Sequence, residues 1–421
     1  MITRSKNGIV QPRINPTLLL SSTEPKTVKA ALTDSNWLNA MKAEIKALHD
    51  NQTWTLVELP SGRKPIGCKW VFRIKENLDS SINKYKARLV AKRFHQQPSI
   101  DFSETFSPVV KPVTIRTIFS LAVSFQKLVD ELHANFSLKD LGSLDYFLGI
   151  EVKATSQGGL FLSQDKYITD LLTRVKMEDC KGISTPMIGG QQLTKDGTLF
   201  DDPTLYRSIV GALQYATITQ PEIVFSVNKV SQFMCLPMEE HWKMVKRILR
   251  YLKGTLGHGL LFTPATSTNP FNLTAFTNAD WAADPNDRRS TSTACIYLGP
   301  NLVSWWSKKQ LLVAWSSTEA EYRALAQAVT EVLWIQSLLK ELQVKFNTPK
   351  VLCDNQSTVS LSHNPVLHSR SKHMELDIFF VRVKVLSKAL IVSHIPAQHQ
   401  YADVLTKALS PRRFLFLAQC D

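Results

Sequence analysis

No apolar run in the chain approaches the roughly 18 consecutive residues that a membrane-spanning helix needs, so a membrane partner is not expected. The six cysteines, Cys68, Cys180, Cys235, Cys295, Cys353 and Cys420, include no Cys-x-x-Cys pair and no Cys/His run at zinc-ligand spacing. That excludes a zinc-finger framework and argues against a disulfide-stapled secreted domain. The thiols read as reduced and mostly packed, in a protein expected to stay inside the cell, cytoplasmic or nuclear. Acid is the scarcer charge: 36 Asp+Glu face 50 Lys+Arg, leaving +14, and no acid occurs before Glu24. A surplus of this size favours a polyanionic partner, because basic surface gains affinity by releasing counterions from phosphates. At 421 residues the chain exceeds one ordinary core, and two or three domains are expected.

Residues 1–33, opening MITRSKNGIVQPRINP, carry Pro and Gly without an amphipathic repeat and are expected to be a disordered basic lead-in. From there Trp37, Met41, Ile45 and Leu48 recur at helical spacing behind an Asp34 or Ser35 cap. Strands are expected in TWTLVELP, CKWVFRIKEN and NKYKARLVAKRF. Residues 127–265 alternate helical stretches with turns. There HWKMVKRILRYLKG sets Trp242, Val245, Ile248, Leu249 and Leu252 against a heavily basic opposite side, either a solvated helix face or a rail for phosphates. The loop TPATSTNP, 263–270, is the best candidate boundary.

The block 271–421 has the richest pattern. NLTAFTNADWA, TACIYLGPNLVSWWSKKQ and LLVAWSST are expected as three successive antiparallel strands, with GPN as a turn. A long amphipathic helix, STEAEYRALAQAVTEVLWIQSLLKEL, follows behind a Ser/Thr start with a carboxylate three positions on. KVLCDN is a short strand ending on an acid, and KALIVSHIPAQHQYADVLTKAL closes with a strand and a helix that has Asp403 in its first turn. The order implies an α/β (α+β) fold, a mixed sheet flanked by helices, with Asp280, Glu321, Asp354 and Asp403 at strand ends and helix starts. Two-metal phosphodiester hydrolysis needs such a gathering of carboxylates around Mg²⁺ ions about 4 Å apart.

The strings RRSTS, SWWSKKQ, SSTEAEYRALA, LCDNQS, NPVLHSRSKHMELD and QYADVLTKAL closely resemble the ribonuclease H domain in the Pol polyprotein of copia-type LTR retrotransposons. Upstream, GCKWVFRIK, KYKARLVAKRF, DFSETFSPVVK, FSLKDLGSLDYFLGIEV, YRSIVGALQYATITQPEI and VKRILRYLKGT resemble the reverse transcriptase of the same polyprotein. The resemblance implies a fingers part over 34–126, a remnant of palm end, thumb and connection over 127–265, and a ribonuclease H-like domain over 271–421. It implies an RNA/DNA hybrid or other nucleic acid as partner, with other Pol or capsid components as further partners, and a two-ion Mg²⁺ centre. Carried over by position, the nuclease residues are Asn278, Glu321, Asp354 and Asp403. Glu321 is preferred to Glu319, which reads as a cap residue. Lys84, Lys86, Arg88, Lys92, Lys308 and Lys309 are the expected nucleic-acid contacts. His394 and His399 lie where some ribonucleases H carry a mobile proton-transferring His, and are read here as surface or packing residues.

Two departures bear on activity. Asn278 stands where the resemblance implies the Asp that bridges both ions, and an amide oxygen cannot neutralise a divalent ion as a carboxylate does. Asp280 shares its strand face but is displaced by about 6.6 Å, farther than the two ions are separated. The second departure is the absence of any Tyr-x-Asp-Asp motif. The chain passes from TIRTIFSLAVSFQ directly to KLVDELHANFSLKDLG, as though the palm had been deleted, and Asp201-Asp202 reads as a loop pair. Arg93, in place of a turn Gly, and Trp315, before SST, are smaller departures. The expectation is a nucleic-acid-binding pseudoenzyme derived from a transposable element. The alternatives are a Mg²⁺-dependent ribonuclease H that uses Asp280 and a host-adopted scaffold without chemistry.

Overall fold

Helical spacing of Trp37 and Met41 places both on the buried side of α2 (Ser35–Asp50), while Ile45 is left 40% exposed. The computed structural model describes residues 24–25, 27–50, 58, 65–76, 82–92, 111–123, 145–147, 149–265, 271–364 and 374–418. The TWTLVELP segment apart from Glu58, Arg93 and the Gln126–Lys127 junction lie outside them. The chain divides into two units, Met1–Pro108 and Val109–Asp421.

In the first unit, order begins ahead of Asp34, which corrects the expected extent of the lead-in. Thr27 accepts from the Ala30 amide and opens α1 (Val28–Thr33), whose Ala31 is buried. Asp34 then accepts from the Asn36 and Trp37 amides at the start of α2. Strands β1 (Cys68–Glu76) and β2 (Ile82–Ala91) pair antiparallel. Strand alternation sends Tyr85 and Ala87 to the core with Trp37, Met41 and Phe72. Lys84, Lys86 and Arg88 consequently share the opposite face of the ribbon. Arg73, opposite Lys86 in register, is already paired with Glu24 at 2.7 Å.

The second unit opens with α3 (Pro112–Ala122). Strands β3 (Tyr146–Phe147), β4 (Ile150–Ala154), β5 (Leu160–Ser163) and β6 (Gly259–Phe262) form a four-stranded antiparallel sheet. Between β5 and β6 run α4 (Asp165–Arg174), α5 (Pro203–Ala216), α6 (Val224–Ser231) and α7 (Glu239–Gly254). In α7 the five apolar residues singled out from the sequence are all buried. Asp202 caps α5 by accepting from the Thr204 and Leu205 amides, a structural use for half of the Asp-Asp pair.

The five-stranded sheet has the order β11-β10-β7-β8-β9, built from β7 (Leu273–Ala279), β8 (Thr291–Leu298), β9 (Asn301–Lys309), β10 (Lys350–Cys353) and β11 (Ile391–His394). β7, β8 and β9 are antiparallel neighbours, and β10 runs parallel to both β7 and β11. Its helices are α8 (Ser317–Glu341), α9 (Gln356–His363), α10 (Glu375–Leu386), α11 (Asp403–Thr406) and α12 (Pro411–Ala418). One face of the sheet, with Leu273 and Ala275, packs on Tyr322, Leu325 and Val329 of α8. The other, with Phe276, Cys295 and Trp305, packs on Ala402 and Leu405 and on Val152, Leu162 and Phe262 of the four-stranded sheet.

The third antiparallel strand is β9, the continuation past the Gly299-Pro300 turn, and not LLVAWSST. The buried Gln310 amide ends β9 by donating to Ser292 Oγ and to the Ala320 carbonyl. Leu311, Leu312 and Trp315 are then 84%, 64% and 85% exposed in a loop. The Trp315 amide donates to Glu319, so this loop feeds the cap of α8. At the sheet edge α3 covers β9: Arg116 donates to the Val303 carbonyl at 2.8 Å, with its guanidinium 3.6 Å from the Trp305 ring centre. Burying an edge strand this way removes a template for unwanted pairing.

Candidate functional site

The C-terminal ends of β7 and β10, the first turns of α8 and the start of α11 bring four of the singled-out residues together. Glu321, one turn into α8, is 7% exposed and accepts from the Ala279 amide at the end of β7. Asp354 follows the last residue of β10, and Asp403 opens α11 at 2% exposure. Asn278, on β7 at 4% exposure, donates Nδ2–H to Asp403 Oδ1 at 2.6 Å. The amide orientation follows from the partner. Asp403 Oδ1 also accepts from the Lys407 ammonium at 2.8 Å, and Oδ2 from Arg413 at 2.9 Å, so the Asn278 atom facing Oδ1 is the N–H.

Glu321 has the most perturbed chemistry of the four. Burial pushes its carboxyl up to about 8, the Ala279 amide and the Cys353 thiol oppose the rise, and the charges of Asp354 and Asp403 add to it. Near neutral pH it is therefore mostly protonated. Cys353 Sγ lies 3.8 Å from Glu321 Oε2, and burial raises the thiol further from ionisation. Among the described residues, one ligand atom each of Glu321, Cys353 and Asp354 come within 4.8 Å of one another. Asp354 is additionally met by Gln400 Nε2 at 3.4 Å, and the same amide donates to the Thr277 carbonyl.

Asp280 is turned to other partners. Its carboxylate accepts from the Thr291 amide. Burial raises its ionisation range, against the Thr291 hydrogen bond and the Lys229 charge, while Asp284 adds to the rise. Glu319 behaves as a cap residue, accepting from the Trp315 amide and pairing with Arg323 at 2.6 Å. His394 and His399 are exposed.

The basic residues divide. Lys84 and Arg88 are exposed, with Lys86 and Lys92 half-buried. Lys308 is exposed and lies 5.3 Å from the Trp306 ring centre. Lys309, expected on nucleic acid, is instead held by Asp284 at 2.7 Å, Asp287 at 2.9 Å and Gln232 at 3.0 Å. Its strand position aims it at the turn carrying those two acids, and pairing them satisfies a half-buried ammonium. Sequence reasoning missed Cys353, Gln400, Lys407 and Arg413. Lys407 had a signal, since it stands four residues after Asp403 on a helix; Arg413, on a separate helix, had none.

The family model described as reverse transcriptase (RNA-dependent DNA polymerase) matches residues 51–133 and 124–189, two stretches that overlap over 124–133. The Retrovirus-related Pol polyprotein from transposon RE1 of Arabidopsis thaliana is 38% identical over 527 residues, covering 98% of this chain and 36% of the relative. That alignment is longer than the 421-residue chain, so more than a hundred of its positions have no residue here. The chain thus spans about a third of that relative's length. The putative transposon Ty5-1 protein YCL074W of Saccharomyces cerevisiae is 31% identical over 211 residues, covering 49% of this chain and 68% of the relative. The solved LC11-RNase H1 in complex with RNA/DNA hybrid aligns with 32% of this chain and 94% of its own at TM-score 0.26 and 17% identity, a similarity that bears no weight. The sequence relatives suffice: the chain belongs to the copia-type, retrovirus-related Pol proteins of transposons.

Proposed function

We propose that this chain is a retrotransposon Pol segment that binds nucleic acid electrostatically, while its polymerase centre is absent and its ribonuclease H-type centre is disabled. The observation that carries the second half is the Asn278–Asp403 hydrogen bond at 2.6 Å. Two divalent ions bring four positive charges. The carboxylates that would face them are Glu321, Asp354 and Asp403, the last already answered by Lys407 and Arg413, and Asn278 adds no charge. This donor set does not fit a bridged pair of Mg²⁺ ions.

The absent polymerase centre is supported by the split family match, by the alignment positions that this chain lacks and by the missing Tyr-x-Asp-Asp motif. Nucleic-acid binding is supported by the +14 charge and by Lys84 and Arg88 on one face of the β1–β2 ribbon. The exposed Lys243 and Lys246 of α7 add to it. Rescue of the nuclease by Asp280 gains no support, because that carboxylate is engaged with Thr291 and its charged neighbours are Lys229 and Asp284.

The test is cleavage of an RNA/DNA hybrid in Mg²⁺ by the wild-type chain beside Asn278→Asp. Little cleavage by the first and a large gain in the second is the expected result. Equal rates would reject the reading.

A further inference from the structure

Helix α10 turns one apolar side inward and another outward. Ile378 and Val381 share the core of the five-stranded sheet and α8. Leu376, Phe379, Val383 and Leu386 are 85%, 66%, 39% and 67% exposed. Their spacing of three, four and three residues is that of a coiled-coil seam, so the four share one side of the helix along about 15 Å. Scattered surface leucines need no explanation; an aligned seam on a helix already anchored by its other side does. A groove of about 650 Å³ continues the seam, lined by Leu376 and Phe380 of α10 and by the exposed Leu311 and Leu312 of the loop after β9.

The seam is its own complement. Reversed about residue 381, Leu376 falls level with Leu386 and Phe379 with Val383, so two copies of α10 packed antiparallel meet apolar side chain to apolar side chain in every layer. The charges at the helix ends select that direction. Glu375 is exposed in the first turn and Lys388 is exposed just past the last, and neither has an ion pair among the described residues. Antiparallel packing brings Glu375 of each copy level with Lys388 of the other and opposes the two helix dipoles. Parallel packing would set Glu375 beside Glu375 and Lys388 beside Lys388.

We propose that two copies of this chain associate through α10, antiparallel about a two-fold axis at the level of Val381. Leu376 then packs on Leu386 of the other copy, Phe379 on its Val383, and Glu375 stands beside its Lys388. The inference rests neither on nucleic-acid binding nor on the metal centre.

Sedimentation equilibrium of the full chain, freed of nucleic acid, should show a monomer–dimer equilibrium with a dissociation constant of about 1–50 μM, as suits a seam this short. Phe379→Glu puts a charge into the seam of each copy and should weaken association about a hundredfold or more. Its thermal melt should stay unchanged, because the side chain is mostly exposed. Glu375→Lys and Lys388→Glu should each weaken the dimer by about threefold to tenfold, and the double variant should return to within about a factor of two of wild type. A chain still monomeric at about 200 μM would overturn the proposal and leave the seam to some other occupant. A dimer indifferent to Phe379→Glu, or a double swap no better than its single parents, would overturn it as well.

Discussion

The two halves of the candidate centre carry opposite charge balances. On the α11 side, Asp403 faces two cations and an amide, so one buried negative charge is more than answered. On the α8 side, Glu321 meets the Ala279 amide and the Cys353 thiol and Asp354 meets Gln400, and burial, with the neighbouring carboxylate charges adding to it, lets Glu321 hold its proton up to about 8. The comparison shows that an apparent shortage of acid at position 278 is local. Asn278 matches the neutralised half, where a further carboxylate beside Asp403 would have to be met by a metal. The unneutralised half retains the stronger attraction for a cation.

The sharpest way to break this contrast is Asn278→Asp. In Mg²⁺ it should raise hybrid cleavage by about two orders of magnitude or more, since it adds a full charge where dielectric screening is weak. In EDTA it should lower folding stability by about 1–3 kcal/mol, because a second carboxylate replaces a hydrogen-bond donor against Asp403. Thermal melts with and without Mg²⁺ read this directly: the variant should be stabilised by Mg²⁺ far more than the wild type. A melt of Asn278→Asp that is indifferent to Mg²⁺ would mean that the two halves do not differ in the way described.

Glu321→Gln probes the other half. A carboxyl raised from 4.5 to about 8 on folding means that, as pH rises between those values, the unfolded chain gives up its proton first. The folded state then binds more protons, and stability falls with rising pH. Gln keeps an acceptor for the Ala279 amide and has no proton to lose. Its stability relative to wild type should therefore grow from little near pH 5 to about 4–5 kcal/mol above about pH 8. Denaturant titrations across that range check it, and a pH-independent difference would remove Glu321 from the comparison.

A smaller effect is expected from Arg413→Gln. The Arg413 side chain is 35% exposed, so solvent already screens its pairing with the buried Asp403. Loss should cost about 1 kcal/mol. Lys407, at 54% exposure, should cost less. Both changes lower the positive charge on the α11 side, so in the Asn278→Asp background each should tighten Mg²⁺ binding. Weaker Mg²⁺ binding would show that these cations position Asp403 and do not compete with the ion.

Much of this arrangement is legible from local pattern. The periodicity of Trp37 and Met41 in α2, the buried stripe of α7, and the order β7-β8-β9-α8-β10 all follow from spacing and caps. LLVAWSST misleads because an apolar run of strand length normally signals burial. Here tertiary hydrogen bonds of Gln310 end the sheet one residue before that run begins. The convergence of Asn278 with Asp403 was readable only through the family resemblance. Arg413, the fate of Lys309 and the coverage of β9 by Arg116 depend on contacts between residues distant in sequence, which no local period encodes.

The smallest effect separates binding from either half of the centre. If affinity for nucleic acid is a surface property, it should survive Asn278→Asp and Glu321→Gln and respond to charge on the β1–β2 ribbon. Lys84→Ala and Arg88→Ala remove exposed cations from that face while leaving Tyr85 and Ala87 in the core. Each should reduce the slope of log affinity against log salt by about one or less, uniformly across sequences. Fluorescence anisotropy with a labelled hybrid over a salt series measures this. A slope unchanged in both variants would move the binding surface off the ribbon and toward α7, where Lys243→Ala and Lys246→Ala would then carry the loss.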